Sequence, residues 1–104
     1  MPIIKFSGVT QQRVEEYAKK IDEIAELIVA KSENIMFIYE GSKIYPIKDG
    51  QSSIYISVEW MSRVDKEQLL TNHLVNFFKN DSDKVGVFFT DMNNKWYMNG
   101  NKIG

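Results

Sequence analysis

Apolar residues at Ile54, Ile56, Val58 and Trp60 alternate with Tyr55, Ser57 and Glu59, a period of two that predicts a strand with one buried face. A different spacing governs the first third of the chain. There Val14, Tyr17, Ala18, Ile21, Ile24, Ala25, Ile28 and Val29 recur every three or four residues and draw one apolar stripe along a long amphipathic helix. Thr10 is placed to cap that helix and Val9 with Val14 to staple its start, while Arg13, Glu15, Glu16, Lys19, Lys20, Asp22, Glu23 and Glu26 cover the other faces. A second helix is expected from Asp65, which with Gln68 has the spacing of a capping box. Val64 and Leu69 form its expected staple, Leu70, Leu74, Phe77 and Phe78 face inward, and it ends near Asn80.

Short apolar runs bounded by turn residues predict further strands at 3–6, 35–39 and 84–89. In the last of these Val85, Val87 and Phe89 point one way and Phe88 the other. Trp96-Tyr97-Met98 suits a final short strand. Between 41 and 53, Pro46, Asp49, Gly50, Ser52 and Ser53 predict a loop around a candidate edge strand at 43–45. The chain therefore reads as a single α+β domain, 1–104, made of two strand-helix-strand units at 2–39 and 54–90. Right-handed crossovers give a four-stranded mixed sheet with two helices on one face. The bare face would leave Ile3 or Ile4, Phe88 and part of the second strand in water, so an oligomer is expected.

Composition narrows the function. One domain is the natural count for 104 residues, and a net charge of −1 with interspersed signs offers no basic stripe to neutralise a phosphate backbone. Nucleic-acid binding is disfavoured. The lack of a 20-residue apolar run or a secretory signal points away from membranes and towards the cytoplasm. No cysteine is present and His73 is the single histidine, which removes thiolate catalysis and the usual zinc sites; no metal or cofactor is expected. His73 falls mid-helix, where a half-buried packing role is expected.

The chemistry-bearing candidate is Pro2. Once Met1 is removed, its nitrogen is a secondary amine at the head of a strand; burial would disfavour the ammonium and leave a base near neutral pH. The plain structural reading is that proline is tolerated at a first strand position.

Met1-Pro2 ahead of this element order, with Asp83-Lys84-Val85, Phe89-Thr90-Asp91-Met92-Asn93 and Trp96, resembles the tautomerase superfamily that includes macrophage migration inhibitory factor. Trp60, Arg63, Val87-Phe88-Phe89-Thr90 and Tyr97-Met98-Asn99-Gly100 resemble a bacterial branch of it catalogued as a domain of unknown function. The resemblance implies a homotrimer with sites at subunit boundaries. It also implies keto–enol tautomerisation of a small carbonyl or enol substrate, with Pro2 as catalytic base and Lys31, Arg13 and Trp96 as substrate-binding residues. Two departures matter. Gly86 and Phe88 stand where the family pattern carries polar pocket groups, and the second strand has no arginine, which argues against a dicarboxylate substrate. Two alternatives stay open: a non-catalytic binding or assembly module of the same fold, and a ferredoxin-like small-molecule-binding domain of the same element order.

Overall fold

The computed structural model describes residues 1–103. Strand β1 (Ile3–Ser7) leads through helices α1 (Gln11–Ala18) and α2 (Ile21–Ile28) and a 3-10 turn (Ser32–Asn34) to β2 (Met36–Glu40). A long loop then reaches β3 (Ile54–Trp60), helix α3 (Val64–Phe78) and β4 (Val85–Asp91), and the tail forms β5 (Tyr97–Met98) and β6 (Asn101–Lys102). The main sheet has the order β2-β1-β3-β4, with β1 parallel to β2, antiparallel to β3, and β3 parallel to β4. That mixed sheet with its helices on one face is the expected α+β architecture, and β1 lies inside it.

Alternation along the strands sorts the two faces. Ile4, Phe6, Ile54, Ile56, Val58 and Trp60 are buried beneath the helices, with Phe37, Val85, Val87 and Phe89 packed around them. Phe6 anchors this layer, its ring 5.7 Å from both Tyr17 of α1 and Phe78 of α3 and 6.4 Å from Phe37. One aromatic from a central strand thus ties both helices to the sheet, and aromatic pairs add to the area they bury. On the bare face Met36, Tyr55 and Phe88 are 38%, 44% and 58% exposed. Ile4 is fully buried and Ile3 only 8% exposed, so the expected exposure of one of them is not observed: Ile4 points into the helices, and Ile3 is flanked in the central strand by Met36 and Glu59.

Several local expectations are corrected. The first helix is two helices, because the Lys20 N–H bonds the Tyr17 carbonyl at 3.0 Å, a three-residue step that interrupts the ladder before α2 restarts. Val29, placed on the apolar stripe by spacing, is 71% exposed and left-handed (φ 56°) where α2 ends. Thr10 caps as expected, accepting from the Arg13 N–H at 3.2 Å. The capping box at Asp65 does not form: α3 starts at Val64, Arg63 is the cap residue without a side-chain cap bond, and Val64 and Leu69 are exposed rather than stapled. No strand forms at 43–45, where Pro46 and the surrounding turn residues leave an irregular loop. The tail instead carries β6, joined to β5 through Asn99 (φ 51°) and Gly100 (φ 83°), the paired positive angles of a two-residue hairpin turn. Among the described residues no helix is long and apolar enough to cross a membrane.

His73 has the packing role its position suggests. Its Nδ1 lies 2.8 Å from the Tyr17 hydroxyl and its Nε2 hydrogen-bonds Glu23, so one ring joins α1, α2 and α3. Burial, with the charge of Glu23 added, pushes the Tyr17 phenol far up and keeps it protonated. The neutral arrangement is complete when the hydroxyl donates to Nδ1 and Nε2–H donates to Glu23. That bond from His73 holds the Glu23 carboxyl below its ordinary value of 4.5. A depressed carboxylate contributes stability that is whole above the unfolded-state value and is lost as the pH falls through the folded-state one. Replacing Glu23 with glutamine is therefore expected to flatten the fall in urea midpoint between about pH 5 and about pH 3 relative to wild type.

Candidate functional site

The antiparallel pairing of β1 with β3 brings the start of one to the end of the other: Ile3 lies opposite Glu59. Pro2 is buried just before this point, and its carbonyl accepts from the Met36 N–H at 2.8 Å, so the head of β2 is fastened to it. Proline suits the position because it starts the strand without having to donate. The same end of the sheet receives Trp60 and Arg63 from β3 and its exit. The Met92 N–H donates to the Trp60 carbonyl at 2.8 Å, turning the chain after β4 so that Trp96 follows four residues later. Elements distant in sequence therefore converge around the first two residues.

The electrostatics there are cationic. Burial, followed by the charge of Arg63, holds the N-terminal ammonium of Met1 below the ordinary value of 8.0. Both causes have the same sign, since a desolvated ammonium is disfavoured and a neighbouring guanidinium disfavours it further. Three side-chain nitrogens are buried without a hydrogen-bond partner among the described residues: Trp60 Nε1, Arg63 Nη1 and Trp96 Nε1. All are donors. A buried polar group left unpaired costs about 1–3 kcal/mol, and more when charged, so such donors are ordinarily met by water, a ligand or a neighbouring chain.

Of the residues singled out from sequence, Pro2 and Trp96 belong to this end of the sheet. Lys31 is exposed and opens the 3-10 turn that leads to Met36, so it too approaches from this end. Arg13 is elsewhere. Its guanidinium pairs with Glu16 at 2.6 Å and Asp81 at 3.0 Å, donates to the Phe77 carbonyl at 3.1 Å, and stacks 4.3 Å from the Phe77 ring. It lines a cavity of about 770 Å³ with Gly8, Tyr39, Ser53 and Asp81, at the opposite end of the strands. Within one chain, Arg13 and Pro2 are not brought together.

Arg63 is the residue that sequence reading passed over as a site candidate. It stands among the residues that carry the family resemblance, but no periodicity or catalytic motif gives it a role at a site. The signal becomes visible only once β1 and β3 are known to be antiparallel, because that pairing carries Trp60 and the residues just beyond it to the N-terminus.

Comparison with known proteins bears on the whole domain. Residues 1–102 match the family model described as Domain of unknown function (DUF1904). A crystal structure of a DUF1904 domain from Sebaldella termitidis is similar with a TM-score of 0.81 at 21% identity, covering 96% of this chain and 97% of that one. A macrophage migration inhibitory factor homologue from Prochlorococcus marinus gives 0.74 at 15% identity, covering 98% and 99%. A structure described as a fused 4-OT wild type asymmetric trimer gives 0.71 at 14% identity, covering 96% and 94%. At these identities the likeness is one of fold, and it includes tautomerase-superfamily proteins. No curated protein matches the chain significantly. With a family model spanning nearly its whole length, the chain belongs to the DUF1904 family.

Proposed function

We propose that this protein is a keto–enol tautomerase in which Pro2, freed by removal of Met1, is the base. The observation that carries this reading is the burial of Pro2 at the head of a central strand, next to a Met1 ammonium that burial and the charge of Arg63 both disfavour. A neutral secondary amine there would take a proton from the carbon α to a carbonyl. Its electron pair would form the new N–H bond, and the C–H pair would become the enolate π bond. The same proton is then returned to a different atom, so substrate and product are isomers and no cofactor is consumed. Lys31 and Trp96 are proposed to bind substrate, the ammonium of Lys31 offsetting charge that grows on oxygen during proton removal. Arg13 can reach a neighbouring Pro2 only across a boundary between copies, since in its own chain it is held at the far end.

The exposed apolar residues of the bare sheet face support a homotrimer in which three such faces turn inward. Met36, Tyr55 and Phe88 supply the surface that association would cover. The fused 4-OT structure, described as a trimer, has this fold. A second reading is favoured by Gly86 and Phe88, which put no polar side chain on the bare-face positions of β4 that they occupy. On that reading the fold binds a small molecule without transforming it.

Two outcomes are expected. Intact mass of the untagged protein will show loss of the Met1 residue, and the processed protein will accelerate ketonisation of phenylenolpyruvate; Pro2→Ala will lower kcat/KM by roughly a hundredfold or more, the range of general-base catalysis. The wild-type rate is expected to rise with pH as the Pro2 amine loses its proton and to level off once it is neutral. Retained Met1, or a rate indifferent to the substitution, removes the amine from the mechanism. Light scattering is expected to give three times the 12.1 kDa chain mass, and Phe88→Lys to shift it towards one chain; a monomeric wild type contradicts the trimer.

A further inference from the structure

The cavity of about 770 Å³ at the end of the strands remote from Pro2 has no part in proton transfer at the amino terminus. Three segments far apart in sequence enclose it: the turn from β1 into α1 at 8–11, the loop leaving β2 at 41–44, and Asn80-Asp81 after α3. Its size falls within the span of small-molecule clefts, about 300–1,000 Å³. The walls are braced against one another. Gly8 is left-handed (φ 84°) and a Cβ there would collide with the Ser53 carbonyl oxygen, so the turn sits directly on the residue before β3. The Arg13 Nε–H bonds Asp81 Oδ2 at 3.0 Å and ties α1 to the segment after α3.

The lining narrows the class of ligand. All three guanidinium nitrogens of Arg13 are engaged, by Asp81, Glu16 and the Phe77 carbonyl, so its charge is offset and its fork is not presented to an anion. Val9 and Ile44 alone are too little apolar surface for a wholly apolar guest. What remains are groups that both give and take hydrogen bonds, the hydroxyl of Ser42 and the amides of Gln11 and Asn80, beside an aromatic ring. That ring belongs to Tyr39. It stands two residues from Phe37 on β2 and so shares the helix side of the strand, but Phe37 packs against the core whereas Tyr39 is 43% exposed in the cavity wall. A sugar matches this set, since each of its hydroxyls is donor and acceptor at once and its ring offers a face of C–H groups to an aromatic side chain. We propose that the cavity binds a neutral polyol of monosaccharide size, its hydroxyls held by Gln11, Asn80 and Asp81 Oδ1 and its C–H face laid on Tyr39. Lys43 is a lining cation that no carboxylate pairs among the described residues, and it defines the competing class, a phosphorylated ligand.

The test titrates ¹⁵N-labelled wild-type protein with D-glucose, D-galactose, D-mannose, D-ribose and D-xylose and follows the backbone amides by NMR. At least one sugar is expected to move the amides of Gly8, Gly41, Ser42 and Asn80 in a saturable manner while those of Ile3 and Met36, at the other end of the strands, stay in place. Tyr39→Ala and Asn80→Ala remove exposed side chains, and each is checked for an intact fold by its amide spectrum. Tyr39→Ala is expected to weaken binding roughly tenfold and Asn80→Ala roughly threefold, whereas Lys43→Gln is expected to leave it unchanged. The absence of a saturable shift with every one of these sugars overturns the proposal in the wild-type protein alone, and so does affinity indifferent to Tyr39→Ala. A response confined to D-glucose 6-phosphate and lost in Lys43→Gln also overturns it, assigning the cavity to an anion instead. The readout lies at the far end of the strands from Pro2, so a failed ketonisation assay leaves it untouched and its own failure leaves the proton-transfer reading standing.

Discussion

The structure depends on the placement of its first strand in the interior of the sheet. With the order β2-β1-β3-β4, β1 is hydrogen-bonded on both sides, parallel to β2 and antiparallel to β3. An amino terminus is normally a solvated tail, free to fray. Here it leads directly into a central strand, so the residue before that strand is buried by the same ladder that assembles the fold. Phe6 then locks the strand to both helices through Tyr17 and Phe78. The chemistry proposed for Pro2 is a consequence of this topology, because burial is what lowers an amine's affinity for a proton.

Topology also determines which side chains can influence that amine. The antiparallel step from β1 to β3 places the exit of β3 at the head of β1, and Arg63 is the first cation beyond it. A parallel arrangement would have put Arg63 at the other end, where Arg13 is occupied by Glu16 and Asp81. The two arginines illustrate a general distinction. Arg13 has its hydrogen bonds satisfied within the chain and holds α1 against the segment after α3, whereas Arg63 has a buried donor unpaired. Charge alone did not separate them; the accounting of partners did.

Much of the fold was legible in the sequence because the pattern signals were strong. The period of two in β3 and the three-and-four spacing through α2 report burial directly, and both give the faces observed. The misreadings came where backbone geometry overrides side-chain type. The step at Lys20 divides the first helix although the apolar stripe runs on, and Val29 adopts a left-handed cap that turns it outward. The hairpin of β5 and β6 was announced by Asn99-Gly100, a turn pair whose meaning depends on the two strands it joins. At the site, Pro2 was legible from its position alone. Arg63 was not, since its proximity to the amino terminus is a property of strand pairing and cannot be read from spacing along the chain.

The central claim is that the amino terminus of the processed protein is a neutral base at physiological pH. Direct titration of the Pro2 nitrogen, labelled with ¹⁵N and followed by NMR, measures this without reference to any substrate. The account predicts an amine whose proton affinity lies below that of an ordinary α-amino group and rises in Arg63→Gln, since the charge of Arg63, which with burial disfavours the Met1 ammonium, would then be removed. An amine still protonated at pH 8, unchanged by loss of Arg63, would contradict it.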